Sequence, residues 1–317
     1  MDRLTVHVSK PYDVIIGDGL LDDIRELSAP FLEGKRALVV SGSNVAPIYG
    51  KRIAGSLGSD IFIHETGETS KSFNTLEALV SYMTDIGLRR DDCIVAVGGG
   101  VTGDLAAMAA SIYMRGIGCI QIPTSLLAAV DSSVGGKTAI NNAGHKNIAG
   151  TFYQPSLVIV DRNCFDTLDR RIFNEGMAEV IKCSYILGED LRYDENMIYK
   201  CLDLKRRLVE ADEFDRNERM LLNFGHTIGH AVEALKGFSI LHGEAVAVGM
   251  AYMCRQFSDD YVLMEEFLRS FDLPISTDIP MVDIINEIKL DKKNGKMVIP
   301  YRFGDVRVEE MDLCKLT

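Results

Sequence analysis

The sequence has no paired-cysteine motif. Its seven cysteines (Cys93, Cys119, Cys164, Cys183, Cys201, Cys254 and Cys314) are odd in number, scattered and without CxxC spacing. That excludes a disulfide-framed secreted domain and points to reduced thiols in a cytoplasmic protein, several of them acting as small apolar groups in a core. A membrane span is missing too, because the apolar segment from Leu105 to Met114 is too short and too rich in alanine. The N-terminus, Met1-Asp2-Arg3-Leu4, is not a secretory signal. Positive charge is scarce. Lys and Arg number 34 against 46 Asp and Glu, a formal net charge of -12, which argues against nucleic acid and anionic membranes as partners. A local basic pocket for a small anion remains compatible with that balance. The chain has no internal repeat and no low-complexity tract. What is there, 317 residues at 47% hydrophobic and 25% charged, suits a globular chain with two cores.

The first half alternates β-branched runs with helical patterns. Val14-Ile-Ile, Ala37-Leu-Val-Val, Asp60-Ile-Phe-Ile, Cys93-Ile-Val-Ala-Val, Cys119-Ile-Gln-Ile and Leu157-Val-Ile-Val predict strands. Leu76, Leu79, Val80, Met83 and Ile86 have helical spacing, with Asn74-Thr75 as the expected cap. Such alternation predicts a mainly parallel sheet covered on both faces. After about Asp161 the strand signal fades. Helices are predicted over 170–187, 189–210, 216–235, 244–268 and 281–289, with a late hairpin around Lys296-Met-Val-Ile-Pro and Asp305-Val-Arg-Val. The expected organisation is α/β: an N-terminal nucleotide-binding domain over 1–162 with a parallel sheet, and a mostly α-helical domain over 163–317. The active site is expected in the cleft between them, at the carboxyl ends of the strands.

Three stretches carry chemistry. Asn223-Phe-Gly-His226-Thr-Ile-Gly-His230 and Leu241-His242-Gly-Glu244 hold three of the six histidines. His226 and His230, four apart, share a helix face, and His242 stands near the start of the next helix. Two imidazoles from adjacent helices and a carboxylate from elsewhere would make a divalent-metal site with an open position; satisfied core or surface histidines are the alternative. The spacing is not HExxH. Glu179 and Lys182, three apart in an apolar stretch, supply the carboxylate and a neighbouring cation. Arg219, Asn223, His226 and His230 would form one polar stripe on a single helix. Second, Gly98-Gly99-Gly100-Val101-Thr102-Gly103-Asp104 follows a strand and opens a helix, where backbone N–H groups can meet a pyrophosphate. It is not a strict GxGxxG, no acidic ribose hook stands at the usual distance, and a ligand-free tight turn is the alternative. Third, Val130-Asp131-Ser-Ser-Val-Gly-Gly-Lys137-Thr138 lacks the full Walker spacing, which excludes a phosphate-loop ATPase.

Taken in order, these stretches resemble the 3-dehydroquinate synthase family of the sugar phosphate cyclases. Gly67-Glu68-Thr-Ser-Lys71, Gly98 to Asp104, Tyr113-Met-Arg115-Gly116, Pro123-Thr124-Ser125, Asp131 to Lys137, Lys146-Asn147, Phe152-Tyr-Gln-Pro, Ala178-Glu179-Val-Ile-Lys182, Leu222 to His230, His242-Gly-Glu-Ala-Val-Ala and Asp291-Lys292-Lys293 all match. The resemblance implies NAD and one divalent metal ion, zinc or cobalt. It implies conversion of 3-deoxy-D-arabino-heptulosonate 7-phosphate to 3-dehydroquinate and phosphate in the shikimate pathway of aromatic amino acid biosynthesis. The implied metal ligands are Glu179, His226 and His242. The implied cofactor contacts are Glu68, Lys71, Gly100, Val101, Thr102, Gly103, Asp104, Thr124, Ser125, Lys137, Lys146, Cys164 and Thr167. The implied substrate and proton-transfer set is Asp131, Lys137, Asn147, Lys182, Lys205, Arg219, Asn223, His230 and Lys292 or Lys293. Arg115 is implied to reach the phosphate site of a neighbouring subunit in a homodimer.

The chain departs from the family pattern at Ser125, Ala139, His145 and Asp169, and in a shorter length expected to come mostly from a trimmed C-terminal part. Three rivals stand beside the resemblance. A metal-dependent polyol or glycerol-phosphate dehydrogenase would begin its metal site with Asp and lack this lysine set. A second rival is another sugar phosphate cyclase. The third, a catalytically silent NAD-binding protein, fits poorly with so complete a set of chemical residues.

Overall fold

In a computed structural model the described residues are 1–291 and 295–316. They divide into two compact units, Met1–Leu168 and Asp169–Thr317. The boundary falls after the short helical turn Arg162–Thr167, later than the expected 162/163. That turn belongs with the first unit because Cys164 is buried in its core and the Tyr49 hydroxyl donates to the Cys164 carbonyl at 3.4 Å.

The first unit is built on β1 (Asp2–Val6), β2 (Tyr12–Gly17), β3 (Ala37–Gly42), β4 (Asp60–His64), β5 (Cys93–Gly98), β6 (Gly118–Pro123), β7 (Lys137–Asn142), β8 (His145–Phe152) and β9 (Leu157–Asp161), with helices α1 (Ile24–Leu32), α2 (Lys51–Leu57), α3 (Phe73–Asp85) and α4 (Gly100–Ile112). The main sheet has the order β1-β2-β9-β6-β5-β3-β4, parallel throughout except for the antiparallel edge pair β1–β2. Successive residues of a strand point to opposite faces. Leu38, Val40, Ile94 and Ala96 accordingly pack with the apolar residues of α3 and α4, whereas Val39, Val95, Val97, Ile120 and Ile159 form a separate cluster with Ile24 and Ile53 of α1 and α2. This is the covered parallel sheet the near-continuous apolar strands predict.

Three local readings are corrected. β1 and the antiparallel hairpin β7–β8 were not foreseen; β8 is mostly exposed and carries no apolar run to mark it. Helix α3 is capped by Ser72, whose hydroxyl accepts from the Thr75 N–H at 3.3 Å, not by Asn74-Thr75.

The second unit contains α5 (Arg170–Leu187), α6 (Met197–Ala211), α7 (His226–Leu235), α8 (His242–Phe257), α9 (Tyr261–Arg269) and α10 (Met281–Asp291), then the hairpin β10 (Lys296–Arg302) and β11 (Asp305–Glu310). Its core joins Ala178, Ile181, Phe224, Ile228, Val246, Met250, Phe267 and Ile284. The expected helix 189–210 starts only at Met197, and the expected helix 244–268 breaks at Ser258, whose backbone is extended. The expected helix 216–235 is also two pieces: a short 3-10 turn, Glu218–Asn223, and α7. Between them Gly225 takes a left-handed conformation, φ 79°, which glycine adopts without steric cost. Phe224 is thereby free to bury completely against Tyr185, ring centroids 5.4 Å apart. The single polar stripe from Arg219 to His230 does not exist as one helical face.

Candidate active site and metal centre

Helices α7 and α8 cross at glycine. A Cβ on Gly249 would lie 2.0 Å from the Gly225 carbonyl oxygen, so only a residue without a side chain permits this approach. The crossing brings His226, the first residue of α7, beside His242, the first residue of α8, with ring centroids 5.2 Å apart. The start of α8 is fixed by Glu244, which accepts the Leu241 N–H at 3.1 Å and both guanidinium arms of Arg171.

Glu179 of α5 completes the group. Its Oε1 lies 3.5 Å from His226 Nε2 and 3.9 Å from His242 Nε2. Two ligands bound at 2.0–2.2 Å around a tetrahedral ion stand about 3.3 Å apart, so the spacing is close to that of a zinc-type site. Glu179 is 1% exposed, and neither of its carboxylate oxygens has a hydrogen-bond partner, although Oε2 is ion-paired with Lys182. Both imidazoles are held from behind: His226 Nδ1 by the Phe224 carbonyl at 3.2 Å, His242 Nδ1 by Glu233 Oε2 at 3.0 Å. A carbonyl can only accept, so His226 donates from Nδ1, which turns Nε2 toward Glu179. Two imidazole Nε2 atoms beside a buried carboxylate are a donor set that fits a cation. His226, His230 and His242 also bring ligand atoms within 4.8 Å of one another, which offers His230 as a rival third donor. The carboxylate fits better, because His230 is exposed while Glu179 is buried without a hydrogen bond.

Among the described residues of this unit three cations are buried: Lys182 on α5, Lys205 on α6 and Arg219 on the 3-10 turn. Lys182 is ion-paired with Glu179 where it stands, as a buried charge requires. Asp212 organises the loop that carries Arg219. Its carboxylate accepts the backbone N–H groups of Arg216 at 2.8 Å, Asn217 at 2.6 Å and Arg219 at 3.3 Å, while Arg219 Nη1 donates to the Glu213 carbonyl at 2.8 Å. Burial by itself would raise the Asp212 pKa, but these donors and the Arg219 charge outweigh it and hold it below the usual carboxylate value. A depressed folded pKa stabilises the protein above the unfolded value of about 3.9 and ceases to do so as pH falls through the folded one. Asp212→Asn is therefore expected to lower stability near neutral pH by about 1–3 kcal/mol and to flatten the acid limb of a Tm-against-pH curve. Identical curves for the two proteins would remove Asp212 from this role.

In the first unit the loops at the carboxyl ends of the parallel strands meet. Gly98–Gly100 closes β5 and opens α4, as the glycine motif predicts. Thr124 and Ser125 follow β6; the Thr124 N–H donates to the Gly98 carbonyl at 3.0 Å, and a Cβ on Gly99 would meet Ser125 Oγ at 3.3 Å. The turn Ala128–Ser132, which carries Asp131, reaches the same place, with Ser132 Oγ 3.2 Å from a Cβ on Gly100. The first-turn N–H groups of α4, at Gly100, Val101 and Thr102, have no partner within the helix and suit a pyrophosphate. Thr102 also binds His64 Nε2 at 3.0 Å. Lys71 Nζ bridges Asp104 Oδ2 and Asn147 Oδ1, both at 2.5 Å, and stands 4.0 Å from Glu68 Oε1. Asn141 closes this cluster by donating to Glu68 Oε1 at 2.8 Å and accepting the Asn147 N–H at 2.9 Å. Residues that the resemblance divides between cofactor and substrate are thus one hydrogen-bonded group. Lys137 opens β7 and Lys146 lies in β8. Burial pushes the Cys164 thiol up to about 12, so only its backbone is suited to a ligand; its carbonyl accepts the Thr167 hydroxyl at 3.0 Å. Arg115 is not drawn in. It is exposed, at φ 66°, beyond the far end of α4, roughly 20 Å along the helix axis from Gly100.

The family profile for the 3-dehydroquinate synthase N-terminal region matches residues 61–175, and that for its C-terminal region matches residues 176–294. The chain belongs to the 3-dehydroquinate synthase family. A 3-dehydroquinate synthase of Clostridium botulinum is 40% identical, with 94% of each chain covered. One from Caldanaerobacter subterraneus subsp. tengcongensis is also 40% identical, over 100% of this chain and 99% of its own. The fold is that of a solved 2-deoxy-scyllo-inosose synthase complexed with carbaglucose-6-phosphate, NAD+ and Co2+: TM-score 0.86, 25% identity, 99% of this chain and 98% of that one. A probable glycerol dehydrogenase from Sinorhizobium meliloti, 19% identical at TM-score 0.62 over 87% of this chain and 88% of its own, shares the fold alone. The family match at near full length leaves the dehydrogenase rival unfavoured.

Four residues in or beside the two units' clusters escaped sequence reading. Glu233, Asn141 and His64 touch expected site residues, and Asp212 shapes the Arg219 loop. A hydrogen bond between distant elements leaves no periodic signal; only Glu233 gave a hint, as an acid among the apolar residues of α7. Lys292 and Lys293 lie outside the described residues.

Proposed function

We propose that the residues above carry out the family reaction. The chain is a lyase of the shikimate pathway: it converts 3-deoxy-D-arabino-heptulosonate 7-phosphate to 3-dehydroquinate and phosphate through oxidation, phosphate elimination, reduction, ring opening and aldol closure. NAD supplies a reversible two-electron oxidation without net consumption, and one divalent ion, Zn or Co, supplies Lewis-acid polarisation of substrate hydroxyls. The observation that carries the reading is Glu179, buried without a hydrogen bond and faced by His226 and His242 Nε2. In the proposal these three hold the ion. Lys182, Lys205, Arg219, Lys137 and Asn147 fix the substrate phosphate and carboxylate. The substrate phosphate takes the proton that elimination releases, with His230 and Asn223 as a relay, and Asp131 belongs to the same substrate and proton-transfer set. Glu68, Lys71, Gly100, Val101, Thr102, Gly103, Asp104, Thr124, Ser125, Lys146 and the Cys164–Thr167 turn hold NAD. Phosphate release from the seven-carbon substrate, abolished by chelator and restored by Zn2+ or Co2+, tests this. Steady accumulation of NADH would contradict it.

Gly100→Val is expected to abolish NAD binding. The added side chain would meet Ser132 Oγ and project where α4 begins. Unchanged NAD affinity by calorimetry would refute that placement.

A carboxylated substrate is favoured over neutral sugar phosphates because Lys182, Lys205 and Arg219 are all buried, more charge than one phosphate requires. Arg219→Ala should raise KM for 3-deoxy-D-arabino-heptulosonate 7-phosphate by the equivalent of about 2–5 kcal/mol. Preference of the native enzyme for glucose 6-phosphate or sedoheptulose 7-phosphate would instead support another cyclase.

We propose a homodimer as well. Arg115 stands outside its own unit's cluster, and Ile112, Met114, Ile148 and Phe152, on α4, the turn after it and β8, are exposed apolar residues suited to cover by a second copy. The cytoplasm is the proposed compartment, given that the six described cysteines are free and buried. No helix among the described residues is long and apolar enough to cross a membrane.

A further inference from the structure

We infer that Glu233 is a positioning residue of the metal centre, acting through His242 to set both the aim and the donor strength of that ligand. This rests on the reading of Glu179, His226 and His242 as the ligand set. Glu233 is 1% exposed, on a stretch of α7 whose neighbours Ile228, Ala231 and Val232 are buried and apolar. A carboxylate at such a place is costly without a specific partner. One partner is His242 Nδ1, 3.0 Å from Glu233 Oε2. A carboxylate acceptor keeps the imidazole proton on Nδ1. The Nε2 lone pair is then left for an ion, on the side where Glu179 Oε1 lies 3.9 Å away.

The placement follows from helical geometry. Glu233 is seven residues after His226, close to two full turns, so both lie on one face of α7. That face therefore offers a ligand from its first turn and a support for the ligand of α8 from its third. His226 Nδ1 meets a backbone carbonyl and His242 Nδ1 a charged carboxylate. The carboxylate strengthens His242 as a donor, since an anion behind an imidazole increases its basicity.

The test separates orientation from charge. Glu233→Gln keeps an acceptor oxygen and loses the charge; Glu233→Ala loses both. Full-length protein, dialysed against chelator, is titrated with Co2+ alone, following the visible d–d bands, and with Zn2+ in competition with a chromophoric chelator. Expected are a 10–100-fold loss of affinity for Glu233→Ala, a smaller loss with a shifted Co2+ spectrum for Glu233→Gln, and recovery toward the native spectrum in Glu233→Asp. A folded Glu233→Ala protein with native affinity and spectrum would overturn the inference. Should that variant not fold, native affinity and spectrum in Glu233→Gln would overturn it equally. Failure of the native protein to bind either ion would overturn the ligand reading and this inference with it, whereas native-like variants overturn the inference alone.

Discussion

Replacing His226 with alanine is expected to remove bound metal and turnover together while leaving the second unit folded. The imidazole stands at the first position of α7, with its Nε2 3.5 Å from Glu179 Oε1. Its loss leaves two ligands for the ion, too few to keep a divalent cation against water. Turnover should fall by more than about a thousandfold, because the ion's contribution to a polarised hydroxyl is worth several kcal/mol. The fold should survive, since His226 lies at the edge of a core formed by Phe224, Ile228 and Val246, and a partial cavity there costs about 1–3 kcal/mol. Elemental analysis after dialysis, circular dichroism and phosphate release together give the outcome. Stoichiometric metal in His226→Ala would show the ligand assignment to be wrong. Glu179→Gln should weaken metal binding less, because an amide oxygen can still coordinate. It should also free Lys182 from a buried anion that it now faces.

Gly249→Ala is expected to damage the same centre from a position that touches none of its ligands. The new methyl would stand 2.0 Å from the Gly225 carbonyl oxygen and 3.0 Å from the Gly229 N atom, both backbone. Backbone cannot rotate away as a side chain can, so α7 must move off α8 by more than an ångström. His226 follows Gly225 directly, and the move would draw it from His242. Overpacking of this kind costs about 1–3 kcal/mol, or roughly 2–5 °C in Tm for a chain of this size. Metal affinity should fall with it, and NAD affinity should hold, because the glycine loop of α4 belongs to the other unit. Gly55→Ala is the control: a Cβ there meets nothing within 4 Å, and it sits in α2, where alanine is favoured by up to about 1 kcal/mol. A Gly249→Ala protein as stable and as metal-binding as Gly55→Ala would refute the close crossing.

Periodicity and local chemistry alone determined a good deal about this protein. The apolar runs from Val14 to Val160 specified a parallel sheet with two covered faces, because strands buried on both sides must be apolar at nearly every position. Gly98 to Asp104 identified its own strand-to-helix turn, and the clustered histidines with Glu179 pointed to the candidate metal site proposed above. Those signals are local, written in residues close in sequence. Tertiary structure decided the rest. The helix expected from Arg216 to Leu235 breaks at Gly225, whose left-handed backbone accompanies the burial of Phe224 against Tyr185, and no local propensity records that contact. Hairpin β7–β8 pairs through its own backbone ladder, and Asn141 and Asn147 tie it to Glu68 and Lys71 some seventy residues away in the chain. Glu233 could not be chosen from among 46 acidic residues until the crossing of α7 and α8 put it behind His242. Sequence states which groups are able to bind an ion or a phosphate; the packing of helices at glycine decides which of them face one another.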